Sequence, residues 1–170
     1  MTERRTDLFL PLGLFLVSAL VRLPFKPSQI FHCDSYGLTA GVLYTLTAHP
    51  PGFIGFCALV RAAYLGIGDV TLAFVVVNVL CTGLATALTY LVGRHMFNRA
   101  VGVMAAVLYA TSLDTSYFSV LALSYAAEGA FATAAAWSGW MAVQRRSFLW
   151  LLAHSAILGL GGSVRQTTLA

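Results

Sequence analysis

The sequence predicts an all-α membrane protein with about five transmembrane helices and an external loop that carries amphipathic juxtamembrane helices. Two observations set this class. The 170 residues are 59% hydrophobic and 9% charged, with a mean hydropathy of +0.82, and apolar runs of about 20 residues recur along the chain. A third observation orients it: the basic residues come in pairs between the apolar runs, not as a block. The net charge of +4 is therefore scattered, which gives no support to nucleic-acid binding. Cys33, Cys57 and Cys81 show no CxxC spacing. They read as idle thiols, with a Cys33–Cys57 bridge as the less favoured alternative, and no structural zinc site is expected.

The first segment, Leu8 to Leu23, follows the short basic stretch Arg4-Arg5. It mimics a signal peptide, but Arg22 and the lack of a small-x-small cleavage site favour a retained helix. The second segment, Phe53 to Ile67, is short and interrupted by Arg61. Segments over Thr71 to Val92, Val101 to Leu113, Ser119 to Val143 and Phe148 to Gly162 follow. If the second segment spans, Arg94/Arg99 and Arg145/Arg146 fall outside while Arg4/Arg5 stay inside. If it lies on the outer surface, all three pairs are cytoplasmic, as the positive-inside rule prefers. Arg61 then avoids the bilayer centre. Trp140 and Trp150 flank the Arg145/Arg146 turn like an interfacial belt. An external loop over about residues 25–70 results, and Asp34, Asp69, Asp114 and Glu128 gather towards the outer side.

Within that loop, Ile30-Phe31-His32-Cys33-Asp34-Ser35-Tyr36 is a polar island in an apolar chain. Asp34 to Ala48 reads as a short amphipathic helix: Leu38, Val42 and Leu46 recur at helical spacing, with Asp34, Ser35, Thr39 and Thr45 as its polar groups. Asp34-Ser35 can cap its start, and His49-Pro50-Pro51 ends it. Asp34 and His49 are thus expected about 20 Å apart along the axis. Glu128 sits in an Ala-rich helix and must face protein or water. Arg165 follows Gly161-Gly162, which reads as a helix break lining a cavity.

Asp34, His49-Pro50-Pro51, Gly68-Asp69, the helix end Gly93-Arg94-His95-Met96-Phe97 and Tyr117 through Glu128 occur in an order that resembles the membrane glycosyltransferases of the GT-C fold. Among them it is most similar to protein O-mannosyltransferases and bacterial lipid A aminoarabinose transferases, from about Ile30 onward. The resemblance implies an inverting glycosyltransferase that moves a sugar from a polyprenyl-phosphate donor to an acceptor hydroxyl at the outer membrane face. Asp34 takes the place of the catalytic base in the first external loop. Relatives often carry Asp-Glu there, and this chain has Asp34-Ser35. His49, Arg61, Asp114, Glu128 and Arg165 are the expected substrate-binding residues, with Arg22 and Lys26 as further cations for a departing phosphate. The partners implied are the polyprenyl-phosphate-linked sugar and the bilayer, with an unspecified acceptor.

No cofactor follows from the residues. A divalent metal stays open, because Asp34 with Ser35 alone makes no adequate site. Residues 1–170 read as the N-terminal part of a GT-C-type multi-pass transmembrane domain, in a bacterial inner membrane with the N-terminus cytoplasmic. The alternative is a non-enzymatic multi-pass protein, a transporter or an assembly subunit, although no internal repeat of the transporter kind is found.

Overall fold

A computed structural model of the chain describes residues 2–30, 32–48 and 53–169, with side chains described from residue 9. The described residues form helices and turns without a strand: α1 (Thr2–Leu20), α2 (Cys33–Ala40), α3 (Ile54–Ile67), α4 (Val70–Met96), α5 (Arg99–Thr111), α6 (Leu113–Phe118), α7 (Tyr125–Arg145) and α8 (Phe148–Val164). The all-α expectation holds. One helix, α4, is long and apolar enough to cross a membrane by itself. Phe9–Phe25, Ile54–Ile67, Arg99–Thr111 and Phe148–Val164 are shorter apolar helices.

The central element is α4, against which α1, α3, α5 and α7 all pack, while α8 packs on α7. Small residues permit these approaches. A Cβ on Gly102 would stand 2.6 Å from the Tyr90 carbonyl oxygen, and one on Gly93 would stand 2.8 Å from the Gly102 Cα. The α4–α5 crossing is therefore backbone against backbone. Where α1 crosses α4, Ser18 Oγ and Thr86 Oγ1 share a hydrogen bond of 3.0 Å, and both residues are buried.

The ends of the helices sort into two sets. At one end, Lys26 after α1 pairs with Asp69 before α4, Arg22 reaches the Ala110 carbonyl near the end of α5, and Arg165 after α8 meets Glu128 early in α7. At the other end the rings of His95 of α4, Trp137 of α7 and Trp150 of α8 form one cluster, with the Arg145 guanidinium over Trp150. The described helices α4, α7 and α8 thus each run between these two ends. Both ends of α3 rest at the first end. Gly55 lies against Ser163 near the close of α8, and Gly68, left-handed at φ +80, turns the chain straight into the Asp69 cap of α4. At about 21 Å, the 14 residues of α3 fall short of a bilayer's hydrocarbon core.

Several local expectations are corrected. The cap of α2 is His32, whose Nδ1 accepts from the Asp34 N–H, so Asp34 sits within the first turn. Ser35, which the sequence pattern puts on the polar face, points inward with Leu38 and is buried. The helix widens into a π-helical turn at Gly41–Thr45 and stops at Leu46, left-handed at φ 60, short of Ala48. Its apolar stripe holds, since Leu38 and Val42 join Phe56, Cys57, Val60, Phe74 and Val77 in the main core. His49, Pro50 and Pro51 lie outside the described residues. All three thiols are free. The Gly161-Gly162 pair does not break α8, which continues to Val164. These glycines make room for Thr168 and Leu169, which fold back over them.

The largest departure concerns the fifth segment. The expected helix from Ser119 starts only at Tyr125, and Ser119 to Ser124 is a non-helical stretch with Leu121, Ala122, Leu123 and Ser124 buried. Buried irregular backbone needs partners. Asn78, fully buried in α4, supplies them: its Nδ2 donates to the carbonyls of Leu121 at 2.5 Å and Leu123 at 2.9 Å. Asn78→Ala should strand the Leu123 carbonyl, leave the Leu121 carbonyl only its bond from the Leu123 N–H, and lower stability by about 2 kcal/mol. Thermal unfolding in detergent checks this, and Asn78→Ala melting like the parent would contradict it.

Candidate functional site

The polar groups at the first end form two neighbouring clusters and one separate acid. The first cluster is held by the end of α8. Arg165, extended at the C-cap, places its Nε 3.3 Å from Glu128 Oε2, with both side chains about four-fifths buried (exposures of 23% and 22%). Its guanidinium stacks over the Tyr125 ring at 4.0 Å from the centroid. Thr167 donates to Glu128 Oε1. Both Glu128 oxygens are thereby engaged, so this carboxylate positions Arg165. The Arg165 Nη groups have no other partner among the described residues. A cleft of about 100 Å³ lined by Phe53, Ile54, Gly162, Ser163, Arg165 and Gln166 adjoins them. A fixed guanidinium with free donors beside a cleft can hold a phosphate or a sugar oxygen.

The second cluster is a hollow of about 120 Å³ between α4, α5, α6 and α7, lined by Thr82, Tyr109, Asp114, Thr115, Phe118, Tyr125 and Ala126. Ser112 caps α6 through the Thr115 N–H, which puts Asp114 in the first turn, exposed and free of any ion pair among the described residues. Tyr125 is the shared wall: it lines this hollow, stacks on Phe118 at 4.5 Å and carries Arg165 on its face. Asp114, Glu128 and Arg165 are therefore brought together around one aromatic ring.

Asp34 stands apart on the exposed side of α2, opposite buried Ser35 and Leu38. Its carboxylate has no cation within ion-pair distance among the described residues. The Cys33 thiol lies 3.8 Å from Asp34 Oδ1, and ligand atoms of His32, Cys33 and Asp34 fall within 4.8 Å of one another. An N, S, O donor set of this kind suits zinc better than magnesium or calcium. Asp34 and Ser35 by themselves give no sign of this set. Arg61 is half-buried on α3, and no contact joins it to either cluster among the described residues. Lys26, read as a cation for phosphate, is committed to Asp69 at 2.7 Å. His49 lies outside the described residues.

Sequence reasoning missed Asn78 and Thr167. A lone Asn inside the apolar run Thr71–Val92 was the available signal for the first. Nothing short of the fold signals the second, which meets Glu128 across 39 residues.

Residues 48–170 match the family model described as dolichyl-phosphate-mannose-protein mannosyltransferase. The chain belongs to that family. No curated protein and no solved structure matches the chain. At the level this family establishes, the protein is a mannosyltransferase-like glycosyltransferase of the GT-C type. The matched span contains both clusters, Arg61 and Asn78, and it begins after Asp34.

Two outcomes test the geometry of this mannosyltransferase-family site. Glu128→Gln keeps an acceptor for Thr167 but removes the charge facing Arg165. It should cost about 1 kcal/mol of stability, read as a shift of a few degrees in melting temperature. The second concerns Asp69, whose carboxyl is held below its ordinary value of 3.8, first by the bond from Lys26 and then by the Leu72 N–H. A depressed carboxyl stabilises fully above its unfolded value, and the gain is lost as pH falls through the folded one. Stability should therefore drop in acid below about pH 4. Asp69→Asn should flatten that part of the pH profile of melting temperature.

Proposed function

We propose that the protein is the membrane-embedded part of an inverting glycosyltransferase that takes its sugar from a polyprenyl-phosphate donor. The observation that carries this reading is the contrast in pairing among the acids. Asp69 and Glu128 are tied to cations, whereas Asp34 and Asp114 are exposed carboxylates with no ion pair among the described residues. Of these two, Asp34 is the one in the loop between α1 and α3 where the family resemblance puts the base. An unpaired carboxylate on a helix packed over the core is suited to accept a proton from an acceptor hydroxyl as its oxygen attacks the anomeric carbon. The bond from that carbon to the lipid phosphate breaks on the opposite face, and the phosphate leaves with the electron pair. Arg165, pre-oriented by Glu128 and Tyr125, can neutralise the charge that develops there. Asp114 and Tyr125 line the adjoining hollow, where sugar hydroxyls find an acceptor and an aromatic face.

In this reading α1, α4, α5 with α6, α7 and α8 cross the bilayer, and α2 and α3 lie at its outer surface. The sorting of the helix ends supports that topology: the acids Asp34, Asp69, Asp114 and Glu128 share one end, and the Arg94/Arg99 and Arg145/Arg146 turns occupy the other. Donor phosphate and acceptor would meet at the acidic end, with the prenyl chain in lipid.

Asp34→Asn in the full chain, assayed in membranes with a lipid-linked sugar donor, should lower transfer about a hundredfold or more, as loss of a general base does. Arg165→Lys should cost less, because it keeps charge but loses the planar fork. Unchanged transfer in Asp34→Asn would remove this residue from the chemistry.

A further inference from the structure

A second polar feature lies outside both clusters, on the face formed by α1, α4 and α5. A groove of about 230 Å³ runs there, walled by Leu14, Val17, Val21, Val107 and Thr86, and Arg22 lines its end. Arg22 is 6% exposed, which is extreme for a cation in an apolar wall. Its Nη1 donates to the Ser18 carbonyl at 2.6 Å and to Ser18 Oγ at 2.9 Å, and its Nη2 donates to the Ala110 carbonyl. The Nε–H is buried with no acceptor at all, and Nη2 has a second hydrogen without one. No carboxylate lies within ion-pair distance of it among the described residues.

A buried guanidinium that meets only neutral oxygens keeps an uncompensated charge. What completes it is an anion presenting oxygens to the edge of the guanidinium that lines the groove, the charge-assisted contact by which arginine grips phosphate. The rest of the groove excludes a free hydrated ion. Its walls are mostly aliphatic, and Val17 and Val21 are 63% and 59% exposed. The stretch from Leu14 to Val21 gives about 10 Å of apolar trough leading up to the charge. An occupant must therefore be anionic at one end and aliphatic along its length.

We propose that this groove holds a resident anionic glycerophospholipid, its phosphate on Arg22 and the first part of an acyl chain between α1 and α5. The guanidinium is also the staple that joins Ser18 of α1 to Ala110 of α5, so its position is fixed. That suits a lipid that stays in place better than a donor that turns over. The inference rests on the membrane placement and is independent of Asp34 and of the transfer chemistry.

The test uses the full chain, extracted in mild detergent, stripped of lipid and titrated with phosphatidylglycerol or phosphatidylcholine under native mass spectrometry. One phosphatidylglycerol per chain should bind in preference to phosphatidylcholine. Arg22→Gln should weaken it about tenfold, the worth of a charge-assisted hydrogen bond. Val17→Trp fills the trough without touching any bond of Arg22, and should weaken binding while melting like the parent. This variant carries the test if Arg22→Gln fails to fold. Equal retention of the two lipids, parental binding in Arg22→Gln or in Val17→Trp, or preferential displacement by a polyprenyl phosphate would each overturn the proposal.

Discussion

The architecture hangs on the amide of Asn78. A protein this poor in charge gains little from apolar contacts between helices once it is surrounded by lipid, because lipid tails are as apolar as leucine. Specificity must come from close packing and from the few polar bonds made out of water. Asn78 makes two of these to a stretch of chain 43 and 45 residues away. In doing so it lets Ser119 to Ser124 leave the helical path while buried. That detour sets where α7 starts, and the start of α7 puts Tyr125 and Glu128 at the rim where Arg165 arrives.

The same economy governs the rest of the acidic end, where three cations each hold one junction. Lys26 closes α1 onto α4, Arg22 staples α1 to α5, and Arg165 bridges α8 to α7. Glycines at 93 and 102 let α5 approach α4 at backbone distance, so the hollow beside Asp114 is walled by helices that cannot drift apart without losing that contact. A glycosyltransferase site of this family would then be built on helix ends held rigidly from below, with the mobile chemistry confined to the ligands.

The sequence made the helical class, most segment boundaries and the two-ended distribution of charge legible, because those depend on composition and on pairs of basic residues that are adjacent or nearly so. The stripe Leu38 and Val42 was legible for the same reason: periodicity is local. What escaped it depends on distance. Ser119-Val120-Leu121-Ala122-Leu123-Ser124 is compatible with a helix by propensity, and a single amide from α4 overrides it. Gly161-Gly162 resembles a break because glycine is flexible, yet here it is present for its small size beneath Thr168 and Leu169. Glu128 and Arg165 were each visible as costly charges in an apolar chain. That they neutralise one another became apparent only once α7 and α8 were side by side.

Tyr125 gives the acidic end a property that neither cluster has alone. One face of its ring carries the guanidinium of Arg165, while the ring also lines the hollow of Asp114. A rigid plate bordering two recesses can transmit displacement: a ligand in the hollow that tilted the ring would also shift the cation stacked on it. The two recesses thus share one side chain. In a transferase with two substrates, such a plate would let the arrival of one ligand be felt by the other without any movement of the helices.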